Sequence, residues 1–434
     1  MRGAVRFGAA ALAALVLCGL AQGQELVVTH SNPSGVYAVG ETIAWRVELR
    51  GEGAAQATEL RYVLKENDLT PLREGTLPLA DGQATLTAKL EDPGTLLAEL
   101  GATVGDKTIK RLAGAAVEPA SIGPSLPRPE GFDSFWRAKL AELAAVPANP
   151  VLEPVDSGKP EVEYYKVRMD NIRGTHIHGQ PAKPKGDGRF PATLVVQWAG
   201  VYPLEKSWVL WRAENGWLTL NIMAHDLPFD QPQAYYEKAA EGALKDYPAI
   251  GNDDRETSYF LRMYLSCVRA AEYLTQRPDW DGRTLVVMGG SQGGMQAIVT
   301  AALHPKVTAA IAVMPAGCDL NGPEVGRAPA WPMWYWRTEG KDPEKVRQAA
   351  RYFDVVNFAS RVTCPTLVGM GLVDTTCPAS GVFAMTNQLR GPKEVVVMPD
   401  SGHGGPNDVL EEREKAWLEA LKHGGGPPLA AAGR

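Results

Sequence analysis

The stretch Leu285-Val286-Val287-Met288-Gly289-Gly290-Ser291-Gln292-Gly293-Gly294 sets one serine among glycines, after an apolar run and just before Met295-Gln296-Ala297-Ile298-Val299. The order reads as strand, Gly-x-Ser-x-Gly, helix. A serine on so tight a turn stands exposed, because the glycines let neighbouring backbone approach closely. The helix that opens behind it presents free N–H groups where negative charge would develop. Ser291 therefore reads as a nucleophile for acyl transfer, with the amide of Gln292 as one oxyanion donor.

A serine hydroxyl attacks only when a base takes its proton, and histidine titrates in the right range. Of the seven histidines, His403 lies in Pro399-Asp400-Ser401-Gly402-His403-Gly404-Gly405, a loop after the last apolar run. The base needs a carboxylate to fix its tautomer. Asp374, in Gly371-Leu372-Val373-Asp374-Thr375-Thr376-Cys377-Pro378, follows a separate apolar run and gives the chain order Ser291, Asp374, His403. Asp400 is too close along the same loop to orient the ring, and Asp354 reads as a helix cap. The second oxyanion donor is expected from Trp198-Ala199-Gly200-Val201-Tyr202-Pro203, with Val201 favoured over Gly200 and Tyr202.

His225, in a loop after another apolar run, is the next site candidate. His176 and His178 alternate and share a face. Without a further ligand cluster they read as part of a half-buried strand rather than a metal site. Trp331-Pro332-Met333-Trp334-Tyr335-Trp336 reads equally as a pocket wall and as core. The acyl-transfer chemistry calls for no metal and no organic cofactor.

The elements that must position these groups are visible as patterns. Short continuous apolar runs at 192–198, 217–222, 284–288, 308–314, 366–370 and 394–398 look like strands buried on both faces. Between them lie helical stretches. Over 256–275, Phe260, Tyr264, Val268 and Ala271 share one helical face. Over 132–143 a helix is expected, with Asp133 or Ser134 as its N-cap. Alternation of this kind predicts a doubly wound, mostly parallel sheet.

Upstream the period changes to two. Ile43, Trp45, Val47 and Leu49 alternate with polar residues, as do Leu60, Tyr62 and Leu64, and turn residues such as Asp92-Pro93-Gly94 separate the runs. The pattern predicts a small all-β, Ig-like sandwich, read as a packing or spacer unit more than a sugar-binding one. The expected organisation is an export signal at 1–23, the sandwich at 24–119, a linker at 120–130, an α/β domain at 131–423 and a flexible tail at 424–434. Arg2 and Arg6, the apolar run over 9–20 and Ala21-Gln22-Gly23 carry the signal reading. That run is too short to span a membrane, which takes about 20 residues. The mature protein is expected to be secreted or periplasmic.

A formal charge of −6 and the lack of a Lys/Arg block argue against nucleic acid as a partner. Cys267, Cys318, Cys364 and Cys377 follow the signal. Cys364 and Cys377 flank a strand too long to bridge, while Cys318 and Cys377 follow strands at the same sheet edge but read better as buried free thiols.

From about Pro127 to Leu421 the chain resembles the acetylxylan esterase / cephalosporin-C deacetylase family of carbohydrate esterases, within the α/β-hydrolase superfamily. The resemblance rests on Phe132-Asp133-Ser134-Phe135-Trp136, on Gly289-Gly290-Ser291-Gln292-Gly293-Gly294, on Gly371-Leu372-Val373-Asp374 with Cys377-Pro378, and on Gly391-Pro392-Lys393-Glu394. It implies an α/β-hydrolase fold, a Ser291–His403–Asp374 triad, acetylated carbohydrates or small esters as substrates, and an assembly of several subunits. Three departures stand out. Met223-Ala224-His225 occupies the place of the family's Arg-Gly-Gln, Gly404 that of a glutamate, and Val201 precedes Tyr202 in the oxyanion loop. Two alternatives use the same residues: another serine hydrolase acting on longer acyl groups or peptides, and a non-catalytic carbohydrate-binding protein on a decayed hydrolase fold.

Overall fold

The computed structural model describes residues 23–429. The export signal expected at 1–23 lies almost wholly outside the described residues, as does the end of the expected tail. Strands β1 (Glu25–His30), β2 (Val36–Tyr37), β3 (Ile43–Arg50), β4 (Glu59–Glu66), β5 (Thr70–Pro78), β6 (Gln83–Ala88), β7 (Gly94–Val104) and β8 (Lys107–Val117) form the N-terminal unit. They make two sheets, in the orders β1-β3-β6 and β2-β8-β7-β4-β5. The period-two pattern is the cause: along β3, Ile43, Trp45, Val47 and Leu49 all point inward and are buried. They meet Leu60, Leu64, Leu96 and Leu100 of the other sheet in one core. The sandwich is as expected; β1 and β5, which lack a clean alternation, were not legible.

The second unit holds α1 (Phe132–Ala144), β9 (Val151–Val155), β10 (Val162–Asp170), β11 (His176–Pro184), β12 (Phe190–Val195), α2 (Ser207–Glu214), β13 (Leu218–Ile222), α3 (Gln233–Glu241), α4 (Tyr259–Gln276), β14 (Trp280–Gly290), α5 (Gln292–Leu303), β15 (Ala309–Val313), α6 (Pro343–Phe353), α7 (Val355–Ala359), β16 (Thr366–Gly371), α8 (Ala379–Thr386), β17 (Lys393–Met398) and α9 (Asp408–Lys422). One sheet runs β17-β16-β15-β14-β12-β13-β11-β10-β9. From β13 to β17 neighbouring strands pair in parallel, whereas β11, β10 and β9 are antiparallel. Within the parallel part, β13 and β16 are buried on both faces, which explains their continuous apolar runs. The chain goes from β12 to β13 on one side and then to β14 on the other. Ligands bind beyond the carboxyl ends of strands at such a reversal.

Ser258 caps α4 by accepting from the Phe260 amide at 3.3 Å. The cap expected at Asp133 or Ser134 is not there. Gly131 is the N-cap of α1, Ser134 Oγ donates back to the Gly131 carbonyl at 3.0 Å, and Asp133 instead pairs with Arg128 and Arg361. The stretch expected as a linker is packed rather than free. Ile122 is buried, Asn387 Nδ2 donates to the carbonyls of Pro119 and Ile122, and the Ser125 amide donates to Asp319. Cys267, Cys318, Cys364 and Cys377 are all free thiols. Among the described residues no helix is long and apolar enough to cross a membrane.

The sandwich is docked on the loops that follow β16 and β17. A β-carbon on Gly114 of β8 would collide with the Leu372 carbonyl, so only glycine allows this approach. His30 Nε2 lies 3.1 Å from Asp400, and the Ala328 amide donates to the Asn67 carbonyl at 3.0 Å.

Candidate active site

Ser291 sits between the end of β14 and the start of α5, in a backbone conformation (φ 55°, ψ −120°) that side-chain-bearing residues rarely adopt. Three hydrogen bonds over-determine it. The Ser291 amide donates to Val313 O at 2.8 Å, and its carbonyl accepts from Met295 at 3.1 Å and Ala316 at 3.0 Å. The flanking glycines are needed for contact: a β-carbon on Gly293 would lie 2.5 Å from Val196 O, and one on Gly289 2.6 Å from the same atom. Thus the end of β12 presses directly on the turn.

His403 Nε2 lies 2.9 Å from Ser291 Oγ, and His403 Nδ1 lies 2.8 Å from Asp374 Oδ2. A carboxylate only accepts, so Nδ1–H donates to Asp374 and Nε2 is left to accept from the serine hydroxyl. Asp374 is 1% exposed, and its other oxygen accepts the amides of Thr376 and Cys377, both at 2.9 Å. The carboxylate is thereby aimed by its own turn. The structure brings together the three residues singled out by order along the chain. It sets aside the others: Asp400 faces His30, while Asp354 caps α7 and accepts the amides of Asp319, Leu320 and Val356.

Atoms of Asp374, Cys377 and His403 that could ligate a metal lie within 4.8 Å of one another. Both Asp374 oxygens and His403 Nδ1 are engaged in hydrogen bonds, and burial pushes the Cys377 thiol well up. The group fits a proton relay better than a cation. His176 and His178 face Asp226 in a half-buried strand, His178 Nε2 at 3.2 Å from it, in line with the strand reading.

The loop after β12 is held by a chain of polar groups that the sequence did not disclose. His225 is 1% exposed; its Nε2 lies 2.9 Å from Gly200 O and its Nδ1 2.8 Å from the Tyr259 hydroxyl. A carbonyl only accepts, so Nε2 carries the proton. Burial pushes the ring's pKa down to about 4, which keeps it neutral near pH 7. The Gly200 amide donates to Tyr247 Oη at 3.2 Å, and that hydroxyl donates to Gln292 Oε1 at 2.6 Å. Gln292 Nε2 then reaches the carbonyls of Gln197 and Trp198, at 3.3 and 3.4 Å. Gly200, one of the alternatives to Val201, thus has its amide committed to Tyr247. His225, standing where the family has Arg-Gly-Gln, was the sequence signal that pointed to this bracing.

Above Ser291 opens a cavity of about 410 Å³, walled by Trp198, Ala199, Met314, Trp331 and Thr376. The aromatic hexapeptide divides. Trp331 lines this cavity, whereas Trp334 is fully buried against Phe260 and Phe353. A second, more apolar cavity of about 430 Å³ beside Tyr259 and Arg262 touches none of Ser291, Asp374 or His403.

The charge of Asp374 is also felt in the sandwich. Asp68, at the β4–β5 turn, has an Oδ1 sealed from solvent and without a hydrogen-bond partner among the described residues, although part of the residue remains exposed. Burial, and in smaller measure the charge of Asp374, push its carboxyl up to about 7.

Sheet order, the strained serine turn and the crevice at the reversal define an α/β-hydrolase. The acetyl xylan esterase (AXE1) family profile matches residues 123–421, and the chain belongs to that family, as a carboxylic ester hydrolase. It is 31% identical over 389 residues to the acetyl esterase Axe7A of Xylanibacter ruminicola, covering 88% of each protein. A match of that length takes in part of the sandwich. Among solved structures, it resembles the acetyl xylan esterase from Paenibacillus sp. R4 (29% identity, TM-score 0.60), covering 70% of this chain and 98% of that one. It also resembles acetyl xylan esterase 1 from Thermoanaerobacterium sp. JW/SL YS485 (25% identity, TM-score 0.61), covering 70% and 97%.

Proposed function

We propose that Ser291, His403 and Asp374 are the catalytic triad of an esterase that removes acetyl groups from acetylated carbohydrates such as xylan. The observation that carries the reading is the continuous relay from Ser291 Oγ through His403 to Asp374, at 2.9 and 2.8 Å. His403 Nε2 takes the serine proton as Oγ attacks the ester carbonyl. The amides of Gln292 and Val201 hold the oxyanion. His403 then protonates the departing sugar oxygen, leaving an acetyl-enzyme. Water, deprotonated by the same imidazole, attacks that acyl group, and Oγ recovers its proton as acetate leaves. Asp374 keeps the ring oriented and stabilises the imidazolium.

The reading includes export, on the strength of the N-terminal segment, and assembly of several copies, on the strength of the family. It also keeps 24–119, 120–130 and 131–423 as sandwich, connector and catalytic unit. The test is acetate release from acetylated xylan, with p-nitrophenyl esters of increasing acyl length alongside. Ser291→Ala is expected to lower kcat on the order of 10⁶-fold while leaving the circular dichroism spectrum unchanged. Retained activity in this variant removes the proposal, and a preference for long acyl chains over acetyl replaces it with the longer-acyl reading.

A further inference from the structure

A third cavity, of about 250 Å³, adjoins the one above Ser291 and shares Trp198, Gly290 and Val313 with it. Its walls include Trp208, Trp211 and Arg212 of α2 and Glu414 of α9. Resting on the esterase reading above, we propose that this cavity is a sugar subsite. It would hold a neutral pyranose ring of the glycan chain next to the residue whose acetyl group is removed.

Trp198 is a fixed platform. It stacks on Tyr202 (centroids 5.2 Å apart, planes 20° apart) and meets the edge of Trp208 at 5.0 Å, yet remains 46% exposed. Trp211 takes the Arg212 guanidinium over its ring at 4.3 Å and is itself 41% exposed. Exposed indole faces held from behind suit the C–H face of a sugar ring, which is flat and apolar while its rim carries hydroxyls.

Arg212 supplies the polar complement. It is 7% exposed, and its Nε has no hydrogen-bond partner among the described residues. Its Nη1 donates to Trp208 O at 2.7 Å, while among the described residues Nη2 has only the Met288 sulfur at 3.5 Å and Glu414 Oε1 at 3.9 Å. A buried guanidinium so loosely paired is a costly feature without a further acceptor. The 3.9 Å gap exceeds a hydrogen bond, and a hydroxyl set beside it can accept from Nη2 and donate to Oε1. An anionic sugar would meet Glu414, and an alkyl chain would leave both charged groups dry. The pair therefore selects a neutral polyol over a uronate or a long acyl tail.

The experiment compares Trp211→Ala and Glu414→Gln with the unmodified protein on acetylated xylotriose and on p-nitrophenyl acetate. The ratio of kcat/KM for the first substrate to that for the second is expected to fall about tenfold in each variant, through KM on the sugar. An unchanged ratio, or a selective loss on p-nitrophenyl octanoate, overturns the subsite. A second arm titrates unacetylated xylotriose into Ser291→Ala by calorimetry, with and without Trp211→Ala. Binding weakened about tenfold by the tryptophan change supports the subsite even if no acetylated sugar is turned over, a result that would strike the esterase reading alone. Absence of binding in Ser291→Ala removes the subsite whatever the activity.

Discussion

Asp68→Asn offers a prediction whose size follows from the structure. The Asp68 carboxyl belongs to the sandwich but is pushed up from 3.8 to about 7, by burial first and by Asp374 in smaller measure, with Lys65 and Thr95 acting the other way. Because the folded value lies above the unfolded one, the unfolded chain releases this proton earlier as pH rises. Stability is therefore lost between about pH 4 and pH 7, and the loss is complete above that. At 1.36 kcal/mol per unit, the full effect has a ceiling of about 4 kcal/mol. Asparagine has no proton to release, and it tolerates the left-handed backbone of residue 68 (φ 61°). Asp354, likewise pushed up by burial and by Asp319, is common to both proteins and cancels in the comparison. Urea unfolding of the two proteins at about pH 4 and about pH 8 should give similar midpoints at the lower pH. At the higher pH the variant should be more stable, by up to about 4 kcal/mol. An equal difference at both values, or a less stable variant at about pH 8, refutes the reasoning.

Two further substitutions probe the brace and the docking. Tyr247→Phe strips the Gly200 amide and Gln292 Oε1 of their shared partner, so kcat should fall about tenfold or more with a smaller change in KM. Steady-state kinetics on p-nitrophenyl acetate decide it, and an unchanged kcat means the network does not hold the oxyanion loop. Gly114→Ala drives a methyl group into the Leu372 carbonyl, two residues from Asp374, at a cost of about 1–3 kcal/mol. Both the thermal midpoint and the esterase rate should drop, and full retention of each would show the two units to be only loosely docked.

The nucleophile turn, the parallel strands and the Ser291, Asp374, His403 order were legible because each is local: a tripeptide rule, an apolar run, a loop after a strand. Strands β1 and β5 escaped because β5 is exposed along nearly its whole length and carries no two-residue alternation. The α1 cap was missed because Gly131 makes no side-chain bond and leaves no signature. Asp68, Tyr247 and the Gln292 side chain were illegible for a different reason. Their roles arise from partners on other elements, far outside any local window of sequence, and nothing in the surrounding heptapeptide encodes them. His225 was singled out for the site, and it does belong there, as a support for the Gly200 carbonyl rather than as a base.

The φ of 55° at Ser291 also decides which alcohol can stand there. A threonine carries the same hydroxyl, but its extra methyl on the β-carbon is poorly accommodated at positive φ. The turn thus admits serine, or a thiol of similar shape, and shuts out the branched homologue before any reaction begins. Geometry of the main chain, rather than reactivity of the oxygen, restricts the spelling of this position.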